Sequence, residues 1–476
     1  MRRNLLILML GLVFATPIRG EDFMLGGIQI NEPDQDAWAQ TLVDNGFNTM
    51  QITIYARQGV WDSDDLHVDP VDEGTVKKIR AAHAAGLRVA MILRIDLDHA
   101  HPENRFLWHG LILPSPENLH PWFDRYAQFV RQWAEVCERE GVELLGLGSE
   151  VNAATATRPT AILPTLENYY LDTPQQDQRR EEMVASAESV PGELIRAPGD
   201  ASPVDNFRVF VTDRDRALHN WAAAVSFDTP GRTEAERIAL INHRRAELLS
   251  RWQGLIAEVR SRYSGDLTYA ANFDSYAEVG FWPELDVMAV NAYFPLREPT
   301  EAADADTLAA GWERVFTDLE ASQADMGVAG MPVIFTELGY TRRAGATTAP
   351  WAWQGFDLVG ESKTLMVWET LPFDPDERVR AMEALRRVNE NHSQMLAGLL
   401  YWKLTSKPYH AEIEPFSLLL HDGPDHAEAD PLQSALLRFL EPSRADADAQ
   451  AAVPPKLPRT PAGGTAYSGG VKSSQR

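Results

Sequence analysis

The chain has 476 residues, of which 44% are hydrophobic and 24% are charged, and its formal net charge is −25 at pH 7. Such an acidic chain excludes nucleic acid and other polyanions as partners, because it offers too little positive charge to neutralise their phosphates. A neutral ligand suits this charge better, and the apolar content suffices for a large core.

The N-terminus begins with a basic pair, Arg2 and Arg3, followed by an apolar run over residues 5–14. This pattern is typical of a secretory signal peptide, since the run is too short to span a bilayer. We predict a signal peptide over residues 1–20 and a secreted or periplasmic mature protein without stable membrane insertion. The single cysteine, Cys137, cannot form an internal disulfide and is predicted to be a small buried hydrophobe.

Short apolar strands then alternate with amphipathic helices, which is the pattern of βα units with a parallel sheet. The pattern predicts eight strands, over residues 26–30, 49–55, 88–96, 144–152, 267–273, 286–293, 332–340 and 398–404. Eight strands with helical crossovers favour an α/β fold of the (β/α)8 TIM barrel type. The alternative is a doubly wound open sheet, which is weakened because no Gly-rich phosphate loop follows the first strand.

Two segments depart from this repeat. Residues 153–213 follow the fourth strand and are rich in Pro, Thr, Asp and Glu. They predict a long insertion at the active-site face, or alternatively a partly disordered surface loop. Residues 443–476 are rich in Ala, Pro, Gly and Ser, which predicts a disordered tail. The barrel domain is therefore expected to span residues 21–442.

Two of the predicted strands, the fourth and the seventh, each deliver one glutamate, Glu150 and Glu337, near their C-terminal ends. Barrel enzymes place their chemistry at these ends. Cleavage of a glycosidic bond with retention needs one protonated and one ionised carboxyl about 5 to 5.5 Å apart. We expect Glu150 to be the acid/base and Glu337 the nucleophile. A structural ion pair at each position remains the alternative, as does inversion if the gap is wider.

Other polar side chains near predicted strand ends suit the same site. Tyr293 ends the sixth strand, where its phenol would hydrogen-bond Glu337 and keep it ionised. Arg94 lies near the end of the third strand, where its charge would lower the pKa of the nucleophile. Asn291 points the same way as Tyr293 and would bind a sugar hydroxyl. The alternatives are a core tyrosine for Tyr293 and a structural ion pair for Arg94.

Aromatic side chains in the predicted strand-to-helix loops provide candidate sugar platforms, because sugar rings present apolar faces. Trp351, just past the seventh strand, and Trp402, on the eighth, are the two that we favour. The histidines are scattered, and the pair His99 and His101 lacks further spaced ligands. We therefore predict no required metal and no cofactor.

The motifs on the later strands resemble those of a known clan. They are the strand-four glutamate, Asn-Ala-Tyr at 291–293, Thr-Glu-Leu-Gly-Tyr at 336–340 and Tyr-Trp at 401–402. Their order resembles that in the clan of retaining barrel hydrolases with both catalytic glutamates on strands four and seven. Residues 335–351 read Phe-Thr-Glu-Leu-Gly-Tyr-Thr-Arg-Arg-Ala-Gly-Ala-Thr-Thr-Ala-Pro-Trp. Within that clan, they resemble the corresponding segment of glycoside hydrolase family 113. Characterised members of that family are mainly β-mannanases, and the likeness covers roughly the mature chain up to Leu440.

This resemblance implies roles for particular residues. Glu150 matches the acid/base of the family and Glu337 its nucleophile, while Tyr340 in the same motif becomes a further substrate-binding candidate. Many relatives in the clan have Asn immediately before the acid/base, where this chain has Ser149. Asn152 is therefore a candidate to hold the sugar 2-hydroxyl in its place.

The sequence thus predicts an exported, single-domain retaining glycoside hydrolase that acts on a neutral β-linked polysaccharide or oligosaccharide, with mannan favoured. One alternative is a hydrolase of another β-glucan or of xylan. A second is a non-catalytic barrel that binds glycans or a protein in the periplasm or cell envelope. The distance between the carboxyls of Glu150 and Glu337, together with an open cleft around them, distinguishes an enzyme from a binding protein.

Overall fold

The barrel is closed. The computed structural model describes residues 23–189, 203–352, 357–359, 364–366, 372–392, 395–420 and 430–441. Eight parallel strands pair in chain order, and the first pairs with both the second and the last. The predicted (β/α)8 barrel is therefore confirmed, while the predicted signal peptide and tail lie outside the described residues. The strands are β1 Met24–Gln29, β2 Thr49–Gln58, β3 Arg88–Leu97, β4 Leu144–Ser149, β5 Asp266–Asn272, β6 Met288–Asn291, β7 Val333–Leu338 and β8 Leu396–Thr405.

Helices form the outer layer over most of the barrel. They are α1 Gln35–Asp44, α2 Glu73–Ala84, α3 Leu119–Glu140, α4 Asn152–Thr155, α5 Thr165–Leu171, α6 Thr173–Ser189, α7 Pro203–Val225, α8 Glu234–Arg260, α9 Ala305–Asp325, α10 Asp376–Asn391, α11 Pro408–Ile413 and α12 Pro431–Leu437. Between β5 and β6 the described chain contains the 3-10 turns Tyr276–Glu278 and Trp282–Glu284 instead of an α-helix. Short strands outside the barrel are Leu66–His67, Asp357–Val359, Thr364–Met366 and Leu418–Leu419.

Local sequence signals set several helix ends. The Asp72 side chain accepts hydrogen bonds from the first backbone N–H groups of α2, and Asp304 does the same for α9. Thr233 and Glu236 form a reciprocal capping box at the start of α8. Gly141 ends α3 with φ of 74°, a left-handed conformation that glycine adopts without steric cost. These caps satisfy backbone groups that the helices leave unpaired and fix where each crossover meets its strand.

The described part of the insertion after β4 is largely helical. Helices α5 and α6 lie within the predicted range 153–213, α4 begins one residue before it, and α7 runs past its predicted end. Leu218 and Trp221 of α7 are buried in the main hydrophobic core, and the Trp221 indole N–H donates to the Leu111 carbonyl at 2.9 Å. Leu111 belongs to the loop after β3, so the insertion packs against a neighbouring loop at the same face. None of the described helices is long and apolar enough to cross a bilayer.

Candidate active site

Both glutamates are buried at the C-terminal mouth of the barrel. Glu150 directly follows β4, and its backbone N–H donates to the Ala270 carbonyl of β5 at 3.0 Å. Its φ is 51°, in the left-handed region that residues other than glycine adopt infrequently. Glu337 lies within β7, opposite Asn291 in the register with β6. Backbone outliers of this kind concentrate at functional sites, where surrounding contacts hold them.

One arginine from β3, Arg94, bridges the two carboxyls. Its Nη1 donates to Glu337 Oε1 at 2.5 Å, and its Nη2 donates to Glu150 Oε2 at 3.0 Å. Because both nitrogens belong to one planar guanidinium, the bonded oxygens lie within about 8 Å of each other. This limit is compatible with the catalytic carboxyl pairs of glycosidases, which are about 5 to 9.5 Å apart. The two carboxyls therefore face a common point across the mouth.

Each carboxyl has a second partner of its own. The Tyr293 hydroxyl, just past β6, donates to Glu337 Oε2 at 3.0 Å. His109 Nε2, from the loop after β3, lies 3.1 Å from Glu150 Oε2. Burial and the charge of Glu337 raise the pKa of Tyr293 well above its usual value, so the phenol keeps its proton and remains a donor.

The two carboxyls titrate as a pair because they share Arg94. Burial raises the pKa of Glu337 to about 7 against the opposing charge of Arg94, and the nearby Glu150 carboxylate adds to the rise. Burial also disfavours ionised Glu150, but the His109 hydrogen bond and the charge of Arg94 outweigh it and lower its pKa to about 2. The pair therefore carries one proton between about pH 2 and about pH 7.

The two pKa shifts run in opposite directions, because the surroundings favour the neutral form of Glu337 and the ionised form of Glu150 in the free site. The roles expected from the sequence need the reverse when the glycosidic bond breaks, with a proton on Glu150 and an ionised Glu337. Arg94 stays charged throughout, because the two carboxylates raise its pKa despite its burial.

The asparagines and Tyr340 lie around this pair at different depths. Asn291 is fully buried beneath it, where its Nδ2 donates to Ser149 Oγ at 3.3 Å and its Oδ1 accepts from Thr336 at 2.9 Å. Asn152 begins α4, and its Nδ2 lies 3.5 Å from Asp274 Oδ1. Tyr340 is fully buried, and its backbone carbonyl accepts from the Tyr401 hydroxyl at 3.3 Å. Tyr340 is thus a buried residue just past the C-terminal end of β7, and none of the contacts described for it joins it to the carboxyl pair.

The two tryptophan candidates differ in position. Trp402 lies in β8 with its indole 5.8 Å from the Arg94 guanidinium and 4.5 Å from Lys403 Nζ, so it borders the carboxyl pair directly. Trp351 is 50% exposed and stacks on Phe273, with ring centroids 5.1 Å apart. Trp402 thus forms part of the floor near the pair, and Trp351 forms an aromatic surface on the rim.

Two residues near the pair were not identified from the sequence. His109 follows Trp108 in a loop, and its sequence context does not distinguish it from His99 or His101. Tyr55 is half-exposed near the end of β2 and lies opposite Arg94 in the register with β3. The position of Tyr55 near the end of a predicted strand is the one sequence signal that places it near the site.

Replacing Arg94 with methionine is expected to lower the free energy of unfolding by about 3–5 kcal/mol at pH 7, because it leaves the buried, negatively charged carboxyl pair without its counter-charge. Without the guanidinium, both folded-state carboxyl pKa values shift upward, so the loss should grow as the pH rises and shrink below the unfolded-state value of about 4.5. Denaturant unfolding at several pH values measures this.

The control for Arg94→Met is Arg387→Met, which removes an ion pair with Asp306 that is exposed on both sides and should change stability little at any pH. A loss for Arg94→Met that is equal at acid and neutral pH would contradict the electrostatic explanation.

The closed barrel, with its two buried glutamates joined by one arginine at the C-terminal mouth, is that of a glycoside hydrolase. Residues 240–370 match the family model of Glycoside Hydrolase Family 113, so the resemblance predicted from the sequence is confirmed. The matched segment includes β5, β6 and β7, and therefore Tyr293 and Glu337.

Solved structures with the same architecture include two of that family. The GH113 β-mannanase AaManA from Alicyclobacillus acidocaldarius, in complex with ManMIm, is 16% identical with a TM-score of 0.51, covering 88% of this chain and 96% of that chain. A GH113 β-1,4-mannanase is 14% identical with a TM-score of 0.51, covering 88% of this chain and 99% of the other. At these identities the likeness supports the fold. A search of curated proteins finds no match.

Proposed function

We propose that the protein is a retaining glycoside hydrolase that cleaves β-linked mannan, with Glu150 as acid/base and Glu337 as nucleophile. The observation that carries the proposal is the bridge from Arg94 to both carboxyls, which holds them across one mouth at a separation suited to a single glycosidic bond. The family match and the mannanases with the same fold support the choice of mannan.

In the first step Glu150 gives its proton to the glycosidic oxygen while Glu337 attacks the anomeric carbon. The bond to the leaving sugar breaks, and a covalent glycosyl-enzyme forms on Glu337. In the second step Glu150 takes a proton from water, the water oxygen attacks the anomeric carbon, and Glu337 leaves as a carboxylate. Arg94 and Tyr293 donate to Glu337, so they orient it for attack and stabilise it when it departs.

The surroundings suit a neutral sugar chain. Trp402 borders the carboxyl pair, and the exposed Trp351 stacks on Phe273, which follows β5. Flat aromatic side chains bind the apolar faces of pyranose rings. Two aromatic platforms, one beside the carboxyls and one exposed to solvent, suit contact with more than one sugar unit.

The pH dependence should follow the shared proton. The form with one proton on the pair is the active one, so kcat/KM is expected to fall as the pH rises through about 7, where the pair loses that proton. Measuring kcat/KM from about pH 4 to about pH 9 checks this. Constant activity over the alkaline half of that range would show that the pair does not control the rate.

A polysaccharide panel tests the substrate and the stereochemistry together. Purified protein is incubated with mannan, glucomannan, xylan and a mixed β-glucan, and fresh products are followed by proton NMR. Mannan should be cleaved fastest, and the first product should be the β-anomer. An initial α-anomer would replace retention by inversion, and faster cleavage of xylan or glucan would replace the substrate. Binding without cleavage by the active-site-intact protein would favour a glycan-binding barrel.

We also propose that the protein is exported after removal of residues 1–20. The basic pair and the short apolar run at the N-terminus support this proposal. Mass determination of the protein recovered from culture medium and from cell fractions tests it, because loss of the first twenty or so residues would show processing. Recovery of only the full-length chain inside the cell would contradict it.

A further inference from the structure

A histidine outside the predicted site contacts the proposed acid/base. His109 begins the 3-10 turn His109–Leu111 in the loop between β3 and α3. Its Nε2 lies 3.1 Å from Glu150 Oε2 and 3.4 Å from Arg94 Nη2. The Oε2 atom therefore faces two nitrogen groups, one from β3 and one from the loop that follows it.

We propose that His109 is a positioning residue that controls the protonation of Glu150, and that helix α7 holds His109 in place through Trp221. The inference rests on the proposed role of Glu150 as acid/base. Through α7, the insertion then affects the protonation of the acid/base.

The chemistry of imidazole suits this task. A guanidinium can only donate, so Arg94 stabilises ionised Glu150 and cannot accept a hydrogen bond from the protonated form. A neutral imidazole donates from Nε2 in one tautomer and accepts there in the other. His109 can therefore bond to Glu150 both when the carboxyl is ionised and when it holds the proton that the reaction uses.

Packing fixes the turn that carries His109. The Trp108 ring lies edge-on to the imidazole, with centroids 5.2 Å apart. A Cβ on Gly110 would lie 2.1 Å from the Trp108 ring, so the turn has no room for a side chain there unless that ring moves. At the end of the turn, the Leu111 carbonyl accepts from the buried Trp221 indole of α7 at 2.9 Å. The insertion thus contacts the turn two residues from the imidazole.

Other charged and titratable groups also face Glu150. They come from several elements, namely Tyr55 of β2, Arg94 of β3, Tyr269 of β5, Asp274 after β5, Tyr293 after β6 and Glu337 of β7. None of them is itself replaced in the His109 or Trp221 variants, and among them Arg94 contacts His109, at 3.4 Å. A change in the titration of Glu150 in those variants therefore reports the loss of the His109 contact.

The direct test is a titration that needs no substrate. Full-length protein labelled with carbon-13 at the glutamate carboxyls is titrated by NMR, and Glu150 is assigned from the signal missing in Glu150→Gln. His109→Ala removes a donor to the carboxylate, so the pKa of Glu150 should rise by about one unit. His109→Gln supplies an amide N–H in its place and should restore part of the shift.

Variants that leave His109 intact test how it is held. Trp221→Phe keeps an aromatic ring but removes the hydrogen bond from the indole N–H to the Leu111 carbonyl. It should raise the pKa of Glu150 as His109→Ala does, but by less. Gly110→Ala should do so by displacing Trp108. The matched control is Trp312→Phe, because Trp312 is equally buried and donates to the Ala381 carbonyl at 3.0 Å, between α9 and α10. It should leave the titration of Glu150 unchanged.

Kinetics then connect the contact to the reaction. For His109→Ala, kcat/KM should fall about tenfold more on a polysaccharide than on an activated aryl glycoside, which needs little proton donation. An unchanged Glu150 titration in both His109 variants would overturn the proposal, as would equal shifts from Trp221→Phe and Trp312→Phe. If the His109 variants shift the titration of Glu150 but the native protein hydrolyses no glycoside, the contact is established and the proposed function is refuted instead.

Discussion

Replacing Glu337 with glutamine is expected to lower kcat by about 10⁴-fold or more on every glycoside, because it removes the carboxylate that forms the covalent intermediate. Glutamine keeps the size of the side chain, so the fold should survive. The expected result is near-complete loss on polysaccharides and on activated aryl glycosides alike. Measuring kcat separately on a polysaccharide and on an activated aryl glycoside tests this loss.

Azide sharpens this test in the smaller variant Glu337→Ala. Azide can enter the space of the missing carboxylate and attack the anomeric carbon in one displacement, so any rescued product should have inverted configuration. The control is Glu32→Gln, since Glu32 is also a buried glutamate at a strand end but accepts its bonds from Thr405 and Ser406. It should retain most activity. A Glu337→Gln enzyme with the turnover of Glu32→Gln would remove Glu337 from the chemistry.

Replacing Glu150 with alanine should separate substrates by their leaving groups. Proton donation to the leaving oxygen contributes about 10²–10⁴-fold in rate, so the loss on polysaccharides should reach that range. An activated aryl glycoside leaves without a proton, and its first step should slow far less. The measurement is a plot of log kcat/KM against the leaving-group pKa, which should be steeper for the variant than for the native enzyme.

The second half of the cycle provides an independent check on Glu150→Ala. Without the base, the glycosyl-enzyme should accumulate on activated substrates, and azide should release it as a glycosyl azide of retained configuration. Rescue with inverted configuration, or equal losses on both substrate classes, would contradict the acid/base assignment. Together with the Glu337 variants, the opposite azide stereochemistry identifies which carboxyl does which step.

The barrel and the carboxyl pair could be predicted because both follow from local patterns. Apolar strands with helical crossovers leave few ways to close a sheet, and strand ends in a barrel converge on one face. Glu150, Glu337, Arg94 and Tyr293 all lie at or near such ends, so their convergence followed from the fold. Their mutual contacts at 2.5 to 3.0 Å are those of one network.

The remaining features depend on contacts distant in sequence. His109 lies in a short 3-10 turn whose position is set by Trp221 of α7, and no local pattern reports that contact. Tyr340 follows a strand like the other candidates, but it is fully buried, and its backbone carbonyl accepts a hydrogen bond from the Tyr401 hydroxyl. The helices of the insertion were missed because Pro and charged residues dominate its composition, while its buried apolar residues are concentrated in α7.

The left-handed backbone at Glu150 has a thermodynamic consequence for the whole protein. A residue with a Cβ at φ of 51° costs about 1–2 kcal/mol relative to its preferred conformations, whereas glycine is free of that penalty. The contacts of Glu150 with Arg94 and His109 offset this cost while the carboxyl is ionised, and that offset is lost as the pH falls and the carboxyl is protonated. At acid pH Glu150→Gly is therefore expected to melt at a higher temperature than the native enzyme, while it loses activity on polysaccharides. Scanning calorimetry of the two proteins would measure this stability–activity trade-off at a single position.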